Sequence, residues 1–170
     1  MKDLGTIQRH TISVIVDNEA GVLARVSGLF SGRGYNIESL TVAALKDGKR
    51  RSRITLVTKG TKMVIEQIKA QLDRLVPVHK VADLTMDGDF VSRELALVKV
   101  SSTGEKRVEA LSIAEAFRAN VVDSTIKSFV FELTGSAEKL SAFVEHMGEL
   151  GLVEVARTGA AALGRGAEGL

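Results

Sequence analysis

His10-Thr11-Ile12-Ser13-Val14-Ile15-Val16-Asp17 runs directly into Asn18-Glu19-Ala20-Gly21-Val22-Leu23, and the switch between them decides the fold. In the first stretch Ile12, Val14 and Val16 alternate with Thr11, Ser13 and Ile15, the period of two expected of a strand. The polar run Asn18 to Gly21 breaks that period. Beyond it Val22, Leu23, Val26, Leu29 and Phe30 fall at helical spacing and make one apolar stripe. Gly32 and Gly34 predict the helix stop, because glycine tolerates the left-handed backbone that often ends a helix.

Working outward, a second strand is predicted from about Ile37 to Leu45 and a third from Arg51 to Thr58, joined by an Asp47-Gly48 turn. A second helix follows Gly60, with Thr61 as N-cap and Val64, Ile65, Ile68, Leu72 and Leu75 on its buried face. Pro77 ends it, and Val78 to Leu84 reads as a short last strand. The order is β-α-β-β-α-β.

The order then repeats. Glu94 to Ser102 alternates as a strand, and Glu105 to Ala119 is helical through Ala110, Ile113, Ala114 and Phe117. Val121 to Ile126 and Phe129 to Leu133 read as a hairpin. Ser136 caps a helix carrying Leu140, Phe143, Val144 and Met147, and Leu152 to Arg157 closes the pattern. Asn36 and Asn120 lie 84 residues apart, while Gly60 and Gly135 lie 75 apart, because the first hairpin is longer. The reading is an α+β chain of two tandem ferredoxin-like βαββαβ domains, residues 1–84 and 92–158, with a linker at 85–91. Residues 159–170 hold four glycines and four alanines and predict a flexible tail.

Composition removes several classes of function. With 45% apolar residues the chain can bury a real core, and a net charge of +2 leaves no strongly basic surface. It has no cysteine, so no disulfide scaffold, thiolate metal site or thiol nucleophile. No apolar run approaches a membrane span, and the first residues resemble neither a signal nor a transit peptide, so the expected location is cytoplasmic. His10, His79 and His146 fall in separate elements without metal-ligand spacing, and no P-loop, G-x-S-x-G or H-E-x-x-H occurs. Gly32-Arg33-Gly34 ends a helix where a dinucleotide fingerprint must begin one.

RNA-recognition domains share the β-α-β-β-α-β order but stack bases on aromatic residues of their central strands. Ser52 to Thr58 contains no aromatic. Lys46, Lys49, Arg50, Arg51 and Arg53 do make a basic hairpin, and three roles stay open for it: a solvated strand edge, a dock for an acidic protein, or a nucleic-acid contact.

The Asn18–Gly21 turn is the candidate binding site. The first amides of the helix that follows have no partner within it, and the helix dipole favours an anion there. Gly21 removes the side chain that would hold a small carboxylate off the backbone, and Asn18 offers both a donor and an acceptor to an amino acid. The plainer alternatives are that Asn18 caps the helix and Asn36 only turns the chain.

These residues carry a resemblance. Asp17-Asn18-Glu19-Ala20-Gly21-Val22-Leu23, then Arg25-Val26 and Gly28-Leu29-Phe30-Ser31, resemble the opening of an ACT domain, an amino-acid-sensing module. Arg33-Gly34-Tyr35-Asn36-Ile37-Glu38-Ser39-Leu40-Thr41-Val42-Ala43 resembles the small regulatory subunits of acetolactate synthase, also called acetohydroxyacid synthase. Leu97-Val98-Lys99-Val100, Phe117-Arg118-Ala119 and Val153-Glu154-Val155-Ala156-Arg157 extend the likeness across nearly the whole chain. The first residues, the Lys46–Arg53 loop and the tail depart from it.

The resemblance implies a non-catalytic regulator in branched-chain amino-acid biosynthesis. It implies homodimers whose ACT domains pair side by side, with valine or another branched-chain amino acid between them. Carried over by position, Asn18, Gly21 and Asn36 bind the effector, with Val22, Leu23 and Ile37 adding backbone and apolar contact. It further implies a large catalytic subunit that holds thiamine diphosphate, magnesium and FAD, and that this chain activates and makes sensitive to inhibition. No cofactor, metal, nucleic acid or membrane is expected on this chain.

Overall fold

The computed structural model describes residues 5–46 and 50–170. Its backbone separates into two compact units. One comprises residues up to Val91 together with Ala160–Leu170, and the other Ser92–Gly159.

In the first unit the elements run β1 (Gln8–Asp17), α1 (Val22–Ser31), β2 (Ile37–Ala44), β3 (Arg51–Gly60), α2 (Lys62–Asp73) and β4 (Val78–Asp83). The sheet order is β2-β3-β1-β4, with antiparallel neighbours, so β2 forms one edge. Ile12, Val14 and Val16 of β1 and Ile54 and Leu56 of β3 meet Val26 and Phe30 of α1 and Ile65, Ile68 and Leu72 of α2 in one buried cluster. Each such side chain contributes about 1.5–3 kcal/mol on leaving water. Thr61 caps α2 through its Oγ1, which accepts from the Val64 amide. Gly34, at φ +70°, supplies the left-handed residue after α1. The expected Asp47-Gly48 turn, with Lys49, lies outside the described residues.

Alternation would leave the second face of this sheet to solvent, yet Thr11, Ser13, Ile15, Thr55 and Val57 are buried there. The segment read from composition as a flexible tail returns to this unit instead. Ala161–Gly164 form β9, Ala160 and Ala162 are buried, and the Ala160 amide donates to Ser39 Oγ at 2.9 Å. The Arg165 amide donates to the Asp89 carbonyl at 2.8 Å. Further along, Leu163 and Leu170 share the lining of a cavity of about 540 Å³ with Arg53, Lys80, Ala82 and Leu84. Small residues let the returning backbone lie close, and the hydrogen bonds hold it, so low complexity does not mean mobility here.

The second unit repeats the plan with β5 (Phe90–Ser101), α3 (Gly104–Ala116), β6 (Asn120–Ser124), β7 (Ser128–Gly135), α4 (Ala137–Gly148) and β8 (Leu152–Arg157). Its order is β6-β7-β5-β8. Ser136 caps α4 as predicted, accepting from the Lys139 amide. The core joins Phe129, Phe131, Phe143, Leu140 and Met147 to Ala110 and Ala114 of α3.

Candidate functional site

The turn between β1 and α1 is pinned from three sides. The Asp17 amide donates to the Pro77 carbonyl and the Asn18 amide to the Arg50 carbonyl, each at 2.8 Å. His79 Nε2 and Asp17 Oδ1 lie 2.6 Å apart. These bonds fix the turn against the start of β3 and the entry to β4.

Gly21 then takes the N-cap position of α1 at φ +85°, a left-handed conformation that glycine adopts without strain. A Cβ there would meet nothing within 4 Å, so the space beside the backbone is open. Gly21 has no side chain to cap α1, and the first turn of α1 has no acidic residue. Thr61 and Ser136 cap α2 and α4, while α3 has no side-chain bond from its N-cap Thr103 but carries Glu105 in its first turn. Gly21, and not Asn18, occupies the N-cap position of α1. The start of α1 presents backbone donors and a positive dipole end, with the Val22 amide reaching the Glu19 carbonyl at 3.4 Å.

Of the other expected residues, Leu23 is 44% exposed at this helix start, while Val22 is buried in the core and presents only its backbone. Asn36 is exposed, and its carbonyl accepts from Thr58 Oγ1 at 2.7 Å. Ile37 packs against the core of the same unit. Asn18 and Asn36 are not brought together within one chain. Asp17 is paired with Arg51 and Ile37 with Thr58, at opposite ends of β3. At about 3.3 Å per residue that separates the two asparagines by about 23 Å along the sheet.

Sequence reading gave no role to the ion network beside Asn36. Glu38 Oε2 takes Arg9 Nε at 3.0 Å and its Oε1 takes Lys59 Nζ at 2.6 Å. The hydrogen bond from Lys59 comes first among the causes that hold the Glu38 carboxyl below its usual range; burial opposes it, and the charges of Lys59 and Arg9 add to the lowering. Only the sheet register joins Arg9, Glu38 and Lys59, which are far apart in sequence, so no local signal exists.

Among the described residues no group of three or more His, Cys, Asp or Glu is placed to hold a metal, and no helix is long and apolar enough to cross a membrane. His10 pairs with Asp83 at 2.7 Å inside the first unit, and His146 meets the edge of the Phe117 ring. Both are structural contacts.

Two family models account for most of the chain. Residues 12–80 match the ACT domain of acetohydroxyacid synthase small subunits, and residues 93–166 match the acetolactate synthase small subunit. The chain is 46% identical to a protein of Archaeoglobus fulgidus named "Probable acetolactate synthase small subunit", over 93% of this chain and 98% of that one. It is 45% identical to the acetolactate synthase isozyme 3 small subunit of Salmonella typhimurium, over 93% and 96%. The crystal structure of the acetolactate synthase small subunit from Thermotoga maritima superposes with a TM-score of 0.85 at 34% identity, covering 95% of this chain and 99% of that one. The chain belongs to the acetolactate synthase small-subunit family, and is a regulatory, non-catalytic subunit with an N-terminal ACT domain.

Proposed function

We infer that this chain activates the large, catalytic subunit of acetolactate synthase in the cytoplasm and makes it sensitive to feedback inhibition by valine. The observation that supports a small carboxylate effector is the uncapped start of α1 behind a left-handed, unobstructed Gly21. A valine carboxylate accepts from the first amides of α1, Asn18 orients its charged groups, and Leu23 covers the side chain.

The second asparagine comes from a second copy. β2 is an edge strand and α1 connects β1 to β2, so α1 lies over the half of the sheet nearest that edge. Two copies joined antiparallel along β2 reverse one another, which carries Asn36 of one toward the Asn18 turn of the other. A dimer then holds two equivalent sites, each completed by both copies. Burying the valine side chain contributes about 1.5–3 kcal/mol and the helix terminus up to about 2 kcal/mol. Against the cost of association this gives micromolar to millimolar affinity, the range feedback on a metabolite requires.

The chemistry belongs to the partner. There thiamine diphosphate, magnesium and FAD serve the condensation that yields acetolactate or acetohydroxybutyrate from pyruvate and 2-ketobutyrate. This chain acts through a coupling free energy, because an effector that binds the two states of the complex unequally shifts their balance.

The test is reconstitution of the catalytic subunit with this chain across a valine titration. Turnover rises on adding the chain and falls with valine. Gly21→Asp abolishes the fall, since aspartate tolerates the left-handed conformation and puts a negative charge where the carboxylate sits. Equal turnover with and without the chain would overturn the regulatory reading.

A further inference from the structure

The helical face of the first unit carries a groove that neither the core nor the effector site uses. It lies between α1 and α2 and encloses about 660 Å³. Leu29 and Leu75 give it an apolar floor, and Gly28 and Gly32 leave bare helix backbone along one wall. A Cβ at Gly28 would meet nothing within 4 Å, so the opening is not filled from within the unit. Arg25, Arg33 and Arg74 stand around it, exposed, with no carboxylate in the lining and, among the described residues, no ion pair to any of the three. Gln71 also lines the groove, and its buried Oε1 lacks a donor.

The second unit shows that the fold does not demand this arrangement. Its buried helix positions match those of the first at two constant offsets, Val26 and Phe30 to Ala110 and Ala114, and Ile65, Ile68 and Leu72 to Leu140, Phe143 and Met147. By the same offsets Arg25 and Arg74 become Glu109 and Glu149, and Gly28 and Gly32 become Ser112 and Ala116. Arg33 and Gln71 become Phe117 and His146, whose rings close on one another at 5.6 Å. One groove is basic and open, and the equivalent one is acidic and plugged by its own side chains.

We propose that the α1–α2 groove of the first unit is the surface on which the catalytic subunit docks, through a carboxylate-bearing segment that enters between Arg25, Arg33 and Arg74. Arginine suits the role, because its planar guanidinium binds a carboxylate through two parallel hydrogen bonds and is enriched where binding energy concentrates. The segment presents acidic side chains to the rim, an apolar side chain to Leu29 and Leu75, and one N–H donor to Gln71. The site is the Arg-lined side of α1, away from its N-terminus, so docking and effector binding are separate events on one helix. Movement of α1 on valine binding reaches the groove directly.

This proposal rests on the regulatory reading, and the experiment separates the two. The catalytic subunit is titrated with the wild-type chain and with the double variant Arg25→Glu, Arg74→Glu, and the half-saturating concentration for activation is read at low and moderate salt. The wild type activates, whereas the double variant needs at least tenfold more protein. Valine binding measured on the variant alone by calorimetry is unchanged, as is its mass by light scattering. Lys127→Glu, a single charge reversal in the second unit, activates like the wild type. If the wild type activates and the double variant matches it, the groove is not the docking surface. If the double variant loses mass or valine binding instead, the groove is a contact between copies of this chain, and the proposal is equally overturned. Failure of the wild type to activate is the distinct result that removes the regulatory reading itself.

Discussion

The two units solve one packing problem with their large and small residues exchanged. In the first, α1 brings Val26 and Phe30 against Ile54 and Leu56 of the central strand. In the second, the fully buried residues of α3 are only Ala110 and Ala114, with Ile113 packed at the margin, and the strand supplies the bulk as Phe129 and Phe131, with Phe143 of α4 packed edge-on to Phe131. The bulk moves from helix to sheet, as close packing of facing positions requires. The same exchange extends outward. Neither first helix has a side-chain cap, although α3 carries Glu105 in its first turn where α1 has no acidic residue, and the first unit leaves its helix groove open while the second fills the equivalent groove with Phe117 and His146. In one copy of the fold the helix groove is left open, and in the other it is packed by its own side chains.

The sharpest way to break this comparison is to remove the bulk where no neighbour can replace it. Phe131→Ala faces two alanines on α3, so the cavity cannot collapse and the loss is about 4 kcal/mol; Leu56→Ala, opposite Phe30, costs about 3 kcal/mol. Urea unfolding followed by a probe in each unit checks the order. Equal losses, or a greater loss at Leu56, would show that the exchange of bulk is not what fills the second core.

Backbone positions give the next contrast. Gly151 has φ +103°, and a Cβ there would lie 2.1 Å from the Ser101 carbonyl oxygen, backbone that cannot swing aside. The Gly151 carbonyl also accepts from the Ser101 amide, which fixes the approach. Gly151→Ala therefore costs about 3 kcal/mol, from overpacking together with left-handed strain. Gly21, at φ +85° with open space around it, costs only the strain, about 1 kcal/mol for Gly21→Ala. Thermal melting of the two variants side by side reads the difference, and similar shifts would contradict it.

Charge gives the smallest effect. Glu38 is held by two cations at the edge of the first unit, whereas Glu154 of the second, also lowered by its hydrogen bond from Lys99, is fully exposed. A carboxyl lowered in the folded state stabilises above its unfolded pKa, about 4.3 for glutamate, and loses that contribution as pH falls through the folded value. Because Glu38 is near the surface, Glu38→Gln loses at most about 0.5 kcal/mol at pH 7. The difference from wild type narrows below about pH 4, which melting across pH 3 to 7 resolves. A constant difference over that range would assign the loss to packing.

Much of this architecture is legible in the chain. Alternation at Ile12, Val14 and Val16, helical spacing from Val22 to Phe30, and the caps Thr61 and Ser136 each act over a few residues, so local chemistry specifies them. The returning segment is not legible in that way. Its alanines and glycines predict mobility, and only the sheet face it meets, with Ser39 as an acceptor, orders it. The candidate site divides similarly. The uncapped turn at Gly21 can be read from a glycine between a strand and a helix, but the placement of Asn36 at the far end of β3 depends on sheet register. The arginine groove is equally hidden, since Arg25, Arg33 and Arg74 gather only when α1 and α2 pack.

The placement of Asn36 exposes the central claim, an effector site shared between two copies, to a direct test. Asn18→Ala and Asn36→Ala chains each lose most valine binding, by about 1–3 kcal/mol for an unpaired polar group. When the two are unfolded together and refolded, half of the dimers combine one of each. Every mixed dimer then has one site with both asparagines intact and one with neither, so about a quarter of all sites recover. Calorimetric titration of the refolded mixture with valine shows that fraction binding with wild-type affinity if the account holds. Binding no better than the mean of the two separate variants would place both asparagines in one chain's site, or neither in any, and would contradict it.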